Sequence, residues 1–230
     1  MITIEYLGHS SFKISNGETK IIIDPFDPKQ TNLKWSMQEA DTVLVSHNHS
    51  DHNYIQGVKG FENSKLSSGK VGEKQFLVYG PGEYEVNGVQ IMGLSSYHDN
   101  KKGSERGENT IYIIHIEDFV IAHLGDLGHE LTEQQYEEVS NANILMVPVG
   151  GFYTIDHNMA ETIVANVEPN IVIPMHFKDG RTDEVNKSLD EIDKFLTSVS
   201  TEDIINDDKL KLKSSTALDQ EKTVVWVRGK

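Results

Sequence analysis

Between Val43 and His52 the chain reads Val43-Leu44-Val45-Ser46-His47-Asn48-His49-Ser50-Asp51-His52, an apolar run followed at once by three imidazoles and a carboxylate in six residues. No other stretch restricts the fold as strongly. Val43 to Val45 have the β-branched and aliphatic character of a short buried strand. Where that strand runs out the chain is still expected to be extended, so the spacing of two turns His47, His49 and Asp51 to one side, with His52 at a turn toward a helix. Uncharged imidazole suits zinc, iron or manganese and the carboxylate adds a hard oxygen donor, so four donors here can serve two divalent ions. The chain has no cysteine, so a metal must be held by His, Asp or Glu.

The formal charge of -15 argues against a broad surface for nucleic acid or anionic lipid, which requires clustered Lys and Arg. A local basic pocket for one anionic group remains compatible with it. The 230 residues suit one domain spanning 1–230 with one large core. No apolar run approaches the ~18 residues of a membrane span, and Met1-Ile2-Thr3-Ile4-Glu5-Tyr6 lacks the basic and apolar regions of a secretory leader, so a cytoplasmic location is expected. Homo-oligomerisation is left open.

The first half reads as strands. Ile2 to Tyr6 and Ser11 to Ser15 alternate with period two, and Asn16-Gly17 turns the chain into Lys20 to Asp24, where Pro25 stops it. The stretch to Ala40 reads as loop with a short helix, and 57–72 as loop with room for one short strand. Gln75 to Tyr79, Glu83 to Val86, Val89 to Ser96, Thr110 to Ile116 and Phe119 to Leu124 are further strands, with Asn100 to Glu108 a polar loop expected to be mobile. After Asp126 strands and helices alternate: a helix over Leu131 to Val139 capped by Thr132, a strand over Ile144 to Val147, a helix over Ala160 to Val167, a strand over Ile171 to Pro174, an amphipathic helix over Leu189 to Leu196, and a closing strand over Thr223 to Val227. Asp203 to Lys213 has no clear pattern. Many strands followed by strand-helix units predict two sheets covered by helices on the outside.

Three later donors also sit where strands end: His98, Asp126 after Gly125, and His176 after Ile173-Pro174-Met175. Donors on loops at one sheet edge are the expected construction of a catalytic site on a rigid scaffold. The order His47-x-His49-x-Asp51-His52, His98, Gly125-Asp126, His176 resembles the metallo-β-lactamase superfamily of binuclear hydrolases. Leu7-Gly8-His9-Ser10-Ser11-Phe12, Ile23-Asp24-Pro25, Val147-Pro148-Val149-Gly150-Gly151 and Ile173-Pro174-Met175-His176 further resemble its compact branch that includes the ascorbate-6-phosphate lactonases. The resemblance implies an α+β fold, a four-layer αββα sandwich. It also implies that His47, His49 and His98 hold one ion, that Asp51, His52 and His176 hold the other, and that Asp126 bridges them. Zinc is the first candidate, with manganese or iron compatible. The oxygen-reducing relatives have Glu where His49 stands, and the insertion of the RNA-cleaving relatives is missing, so the resemblance favours hydrolysis of a small molecule.

The implied mechanism directs a metal-bridging hydroxide at a small ester, lactone or phosphoester, with Asp51 and Asp126 as catalytic carboxylates. His9, in the first hairpin turn, is a candidate proton donor to the leaving group, against a turn histidine bonding backbone. Arg106 and Lys178 are candidates for clamping a phosphate or carboxylate, and His129 and Tyr153 for contacting substrate. Two other readings compete: a phosphodiesterase or nuclease, which needs a basic groove, and a non-catalytic metal-binding scaffold or sensor, which would be expected to have lost ligands.

Overall fold

The computed structural model describes residues 1–60, 75–180, 184–199, 203–218 and 223–227. Two sheets pack face to face. The first contains β1 (Ile2–Gly8), β2 (Ser11–Ser15), β3 (Lys20–Ile23), β5 (Thr42–Val45), β7 (Phe76–Tyr79) and β15 (Lys209–Leu212), in the order β15-β1-β2-β3-β5-β7. The second contains β8 (Gly82–Val86), β9 (Val89–Tyr97), β10 (Glu108–Ile116), β11 (Phe119–His123), β12 (Ile144–Pro148), β13 (Ile171–Met175), β14 (Ile204–Asn206) and β16 (Val224–Val227), in the order β14-β16-β13-β12-β11-β10-β9-β8. From β11 through β12, β13 and β16 to β14 the pairing is parallel, whereas β8 to β11 is antiparallel.

Alternation along the strands explains this packing, because successive side chains face opposite ways. Ile14, Ile21, Ile23 and Leu44 of the first sheet meet Tyr112, Ile114, Ile121, Met146 and Ile173 of the second in the central core. The intervening residues Ile111, Ile113, Ala122, Leu145, Val147 and Val172 face outward and pack under helices, in a core shared with Val139, Ile163, Val167 and Phe195. Those helices are α2 (Glu133–Val139), α3 (His157–Val167) and α5 (Ile192–Ser198). Thr132 caps α2 as expected: its side chain accepts from the Gln135 N–H while Gln135 reaches back to the Thr132 N–H, an arrangement worth about 1 kcal/mol.

The outer face of the first sheet is covered differently. Ile22, Val43 and Val45 pack against Ala40 and Val58, with Trp35 and Ile55 alongside. Among the described residues this layer includes a two-stranded parallel ribbon of β4 (Gln38–Ala40) and β6 (Val58–Gly60) and a 3-10 turn at Ile55–Gly57, and the one-turn helix α1 (Pro28–Thr31) stands between β3 and β4 in the chain.

Several local expectations are corrected. The chain beyond Val45 does not stay extended but breaks into bends and turns through His52, with the His52 N–H donating to the His49 carbonyl at 2.9 Å. The polar loop before β10 is anchored, because the Asp99 carboxylate accepts the backbone N–H groups of Lys101, Gly103, Glu105 and Arg106 at 2.7–2.9 Å. These four bonds hold Asp99 down to a pKa of about 2, although its partial desolvation acts in the opposite direction. Helix α5 starts at Ile192, and a short helix α4 (Glu184–Ser188) precedes it. The unassigned stretch after Asp203 forms β14 and β15, which join different sheets. Most of the loop expected over 57–72 lies outside the described residues.

Candidate metal centre

The donors converge at one end of the sandwich, where strands of both sheets finish. β5 delivers the histidine string, and two hydrogen bonds join its end to the second sheet: Tyr112 Oη donates to the Val45 carbonyl at 2.7 Å, and the Thr110 N–H to the Ser46 carbonyl at 2.9 Å. His98 follows β9, His176 follows β13, and Asp126 follows β11 through Gly125. Gly125 has a φ of +57°, and a Cβ there would lie 2.3 Å from Asn109 Oδ1 and 2.8 Å from Ser46 Cβ, so only glycine fits. The same Asn109 amide accepts the Asp126 N–H at 3.0 Å and donates to the Leu124 carbonyl at 2.9 Å. A buried side chain thereby fixes the backbone that aims Asp126.

Asp126 Oδ2 is the hub. It lies 3.1 Å from His176 Nε2, 3.3 Å from both His52 Nε2 and His98 Nε2, and 3.9 Å from His47 Nε2. Around it the donor atoms of His47, His49 and His98 lie within 4.8 Å of one another, as do those of His9, His52 and His176. Asp51 Oδ2 is 4.0 Å from His52 Nε2. His9 belongs to this cluster: it is buried, with its ring centroid 4.3 Å from that of His176 and its Nε2 3.2 Å from Asp51 Oδ2. Both His9 and His176 have left-handed backbones, with φ of +57° and +52°. The His9 carbonyl accepts the His176 N–H at 3.0 Å and Tyr6 Oη at 2.7 Å, which holds the pair in place.

A residue not proposed as part of the site from sequence, Asp24, lies beneath the string. Fully buried, its carboxylate accepts the Ser46 N–H at 2.7 Å, the Ser46 hydroxyl at 2.6 Å and His52 Nδ1 at 3.0 Å. The Ser46 oxygen is also 2.9 Å from His47 Nδ1. Because Ser46 gives its proton to Asp24, it receives the Nδ1–H of His47. His47 and His52 therefore both present Nε2 lone pairs to the centre, the arrangement that orients metal-binding imidazoles. The available signal was Asp24-Pro25 at the end of an apolar strand, which reads equally well as a strand stop.

The donor set fits a divalent cation. His47 Nε2 and Asp126 Oδ1 are buried without a hydrogen-bond partner in the protein, an arrangement that is costly unless a cation takes up these atoms. Burial pushes the His47 pKa well below its usual value, leaving a neutral ligand. Burial alone would raise Asp126, but the His176 and His52 charges and hydrogen bonds hold it well below the carboxylate range. For His52, burial is outweighed by Asp126, Asp24 and Asp51, which raise its pKa well above the usual value, so these carboxylates favour a proton on Nε2 that a bound cation would displace to use the lone pair. Three clustered carboxylates thus call for positive charge at the point where the lone pairs converge.

A cavity of about 320 Å³ opens over the centre, lined by His49, Asp51, His98, Asp126 and His176 and closed at the side by Glu105, Arg106 and Tyr153. The Arg106 guanidinium carbon lies 5.8 Å from the Tyr153 ring centroid. The other two substrate candidates have different surroundings. His129 uses both ring nitrogens on backbone, accepting the Tyr97 N–H at 3.1 Å and donating to the Glu130 carbonyl at 2.7 Å. Lys178 pairs with Glu191 at 3.5 Å and does not line the cavity.

Residues 3–176 match the family model of the β-lactamase superfamily domain. The chain is 31% identical over 196 residues to a UPF0173 metal-dependent hydrolase of Lawsonia intracellularis, covering 76% of this chain and 83% of that one. A UPF0173 metal-dependent hydrolase of Pyrococcus horikoshii is 28% identical over 77% and 85% of the two chains. Among solved structures, a candidate zinc-dependent hydrolase of the metallo-β-lactamase superfamily from Thermotoga maritima superposes with a TM-score of 0.75 and 30% identity over the full length of both chains. The chain belongs to the metallo-β-lactamase superfamily and, within it, to the UPF0173 metal-dependent hydrolases. Its two-sheet α+β sandwich is the fold of that superfamily. No helix among the described residues is long and apolar enough to cross a membrane.

Proposed function

We propose that residues 1–230 form one binuclear hydrolase domain acting in the cytoplasm on small esters, lactones or phosphoesters. The observation that carries this reading is the position of Asp126 Oδ2 among the Nε2 atoms of His47, His52, His98 and His176. His47, His49 and His98 would hold one divalent cation, Asp51, His52 and His176 the other, and Asp126 would touch both. Zinc is the first candidate, and manganese or iron suits the same donors. When bound, such ions supply Lewis-acid charge that acidifies water and polarises the group to be cleaved.

The remaining work belongs to the chain. Asp24 and Ser46 fix the tautomers of His52 and His47, and Asn109 and Gly125 fix the backbone of Asp126. His9 acts through Asp51. Burial and the nearby His176 lower its pKa to about 4, so at neutral pH it is an uncharged N–H donor, and Asp51, a carboxylate, only accepts. That bond orients Asp51 and makes His9 a positioning residue more than a store of protons.

Plasma emission spectroscopy on protein purified without added metal, paired with hydrolysis of lactones, aryl esters and a phosphodiester before and after chelation, tests the reading. About two ions per chain and chelator-sensitive turnover are expected, and Asp126→Ala should lose most of the metal and about 10³-fold or more in turnover. Metal-loaded protein without turnover on any member of the panel would favour the scaffold reading, and an active Asp126→Ala variant would falsify the role given to Asp126.

A further inference from the structure

Arg106 borders two cavities. The first is the one over Asp126. The second, about 300 Å³, is lined by His47 and His49, by the Gly80-Pro81 link between the edge strands β7 and β8, and by Ser95, Asn109 and Thr110. His49 and Arg106 line both, so the two volumes meet at a histidine of the metal centre and a guanidinium.

Arg106 is free to bind something. Among the described residues its guanidinium has no ion pair, in a chain whose 36 acidic residues outnumber 21 basic ones. The acid beside it, Glu105, is paired with Lys101 at 2.5 Å, and the Asp99 carboxylate is filled by four backbone N–H groups, the Arg106 N–H among them at 2.8 Å. Those bonds fix the Arg106 backbone in the loop that starts at the metal-centre residue His98. The face of Tyr153 lies against the guanidinium, which limits its rotation and leaves its planar fork of N–H donors for a ligand. Of the other acids around the two cavities, Asp51 and Asp126 are engaged with histidines, and Glu108 is exposed at the edge of the second.

We propose that the substrate is a small anion with three features: a labile ester, lactone or phosphoester bond over Asp126, an extension in the cavity beside Gly80-Pro81, and a phosphate or carboxylate on Arg106 where the two cavities meet. This inference rests on the hydrolase reading above. Arg106 sets specificity, and Asp99 positions it.

The test has a binding arm and a turnover arm on metal-loaded protein. Calorimetry with methylphosphonate, which has no bond a hydrolase can cleave, and with propionate should show at least about 10-fold weaker binding to Arg106→Gln than to wild type. Arg106→Lys should fall between them because a point charge replaces the bidentate fork. A larger loss for methylphosphonate identifies phosphate as the matching group, and a larger loss for propionate identifies carboxylate. In the turnover arm, the ratio of kcat/KM for an anion-bearing γ-lactone or aryl ester to its neutral counterpart should exceed 10 in wild type and collapse toward 1 in Arg106→Gln. Metal content serves as the folding control for both variants. Equal anion binding by wild type and Arg106→Gln overturns the proposal. If wild type hydrolyses nothing yet binds anions through Arg106, the hydrolase reading fails and the anion site stands. Turnover without charge preference leaves the hydrolase and removes the anion site.

Discussion

The two sheets contribute to the metal centre in opposite ways. The first sheet supplies four donors from six consecutive residues after β5, held from below by Asp24 at the end of the neighbouring strand β3. The second supplies His98, Asp126 and His176 singly, each from the end of a different strand, and depends on register and on tight backbone contacts to align them. A local string tolerates imprecise packing but needs a buried carboxylate to orient its imidazoles. Dispersed donors need no such carboxylate, but each relies on a turn that admits little change.

Replacing the hub carboxylate, Asp126→Ala, removes the group both sides share and has the largest expected effect. Next comes Asp24→Ala on the first side. It leaves the Ser46 N–H and His52 Nδ1–H buried without an acceptor, and we expect a loss of roughly 3 kcal/mol in denaturant unfolding and a 10- to 100-fold loss of metal affinity by calorimetry. Gly125→Ala probes the second side. With a φ of +57° and Asn109 Oδ1 2.3 Å from the new Cβ, it should cost about 2 kcal/mol and lower turnover by moving Asp126. If Gly125→Ala proved silent while Asp24→Ala remained severe, the dispersed side would tolerate more change than the local string.

The central core allows a gentler test. His123 is fully buried; its Nε2 donates to the Ser10 carbonyl at 3.0 Å and its Nδ1 accepts the Gly125 N–H at 3.1 Å, so it links the first hairpin to the Asp126 turn. Burial lowers its pKa below the usual value. The unfolded chain therefore takes up a proton before the folded one does. Stability from this group is complete above pH ~6.5 and declines as the pH falls from there toward the lowered folded value. Melting curves of metal-free protein should show the decline, with a shallower slope in His123→Gln.

The smallest expected effect is at Asp99. Asp99→Ala frees four backbone N–H groups and loosens the loop that carries Arg106, so KM for an anionic substrate should rise several-fold with kcat little changed. An equal fall in kcat would instead place the effect on neighbouring His98.

The sequence by itself determined the donor string, the strand-end positions of His98, Asp126 and His176, the opening hairpins, and the Thr132 cap of α2. These are carried by short-range signals: period-two alternation, Asn-Gly turns, capping spacing and ligand chemistry packed into a few residues. Tertiary structure decided what depends on distant neighbours. Asp24 read as the end of a strand because its partners, Ser46 and His52, are 22 and 28 residues away. Asp99 read as one polar residue among many because its loop folds back upon it, and the residues after Asp203 gained their strand identity only by pairing with β1 and β16. The even spacing of the string suggested an extended chain, yet the backbone turns, since donors that converge on a point must approach it from several directions. Arg106 and Lys178 had the same standing in the sequence, and only packing separated them, because Glu191 takes the lysine, whereas the arginine faces the cavities and its neighbouring acid, Glu105, is taken by Lys101.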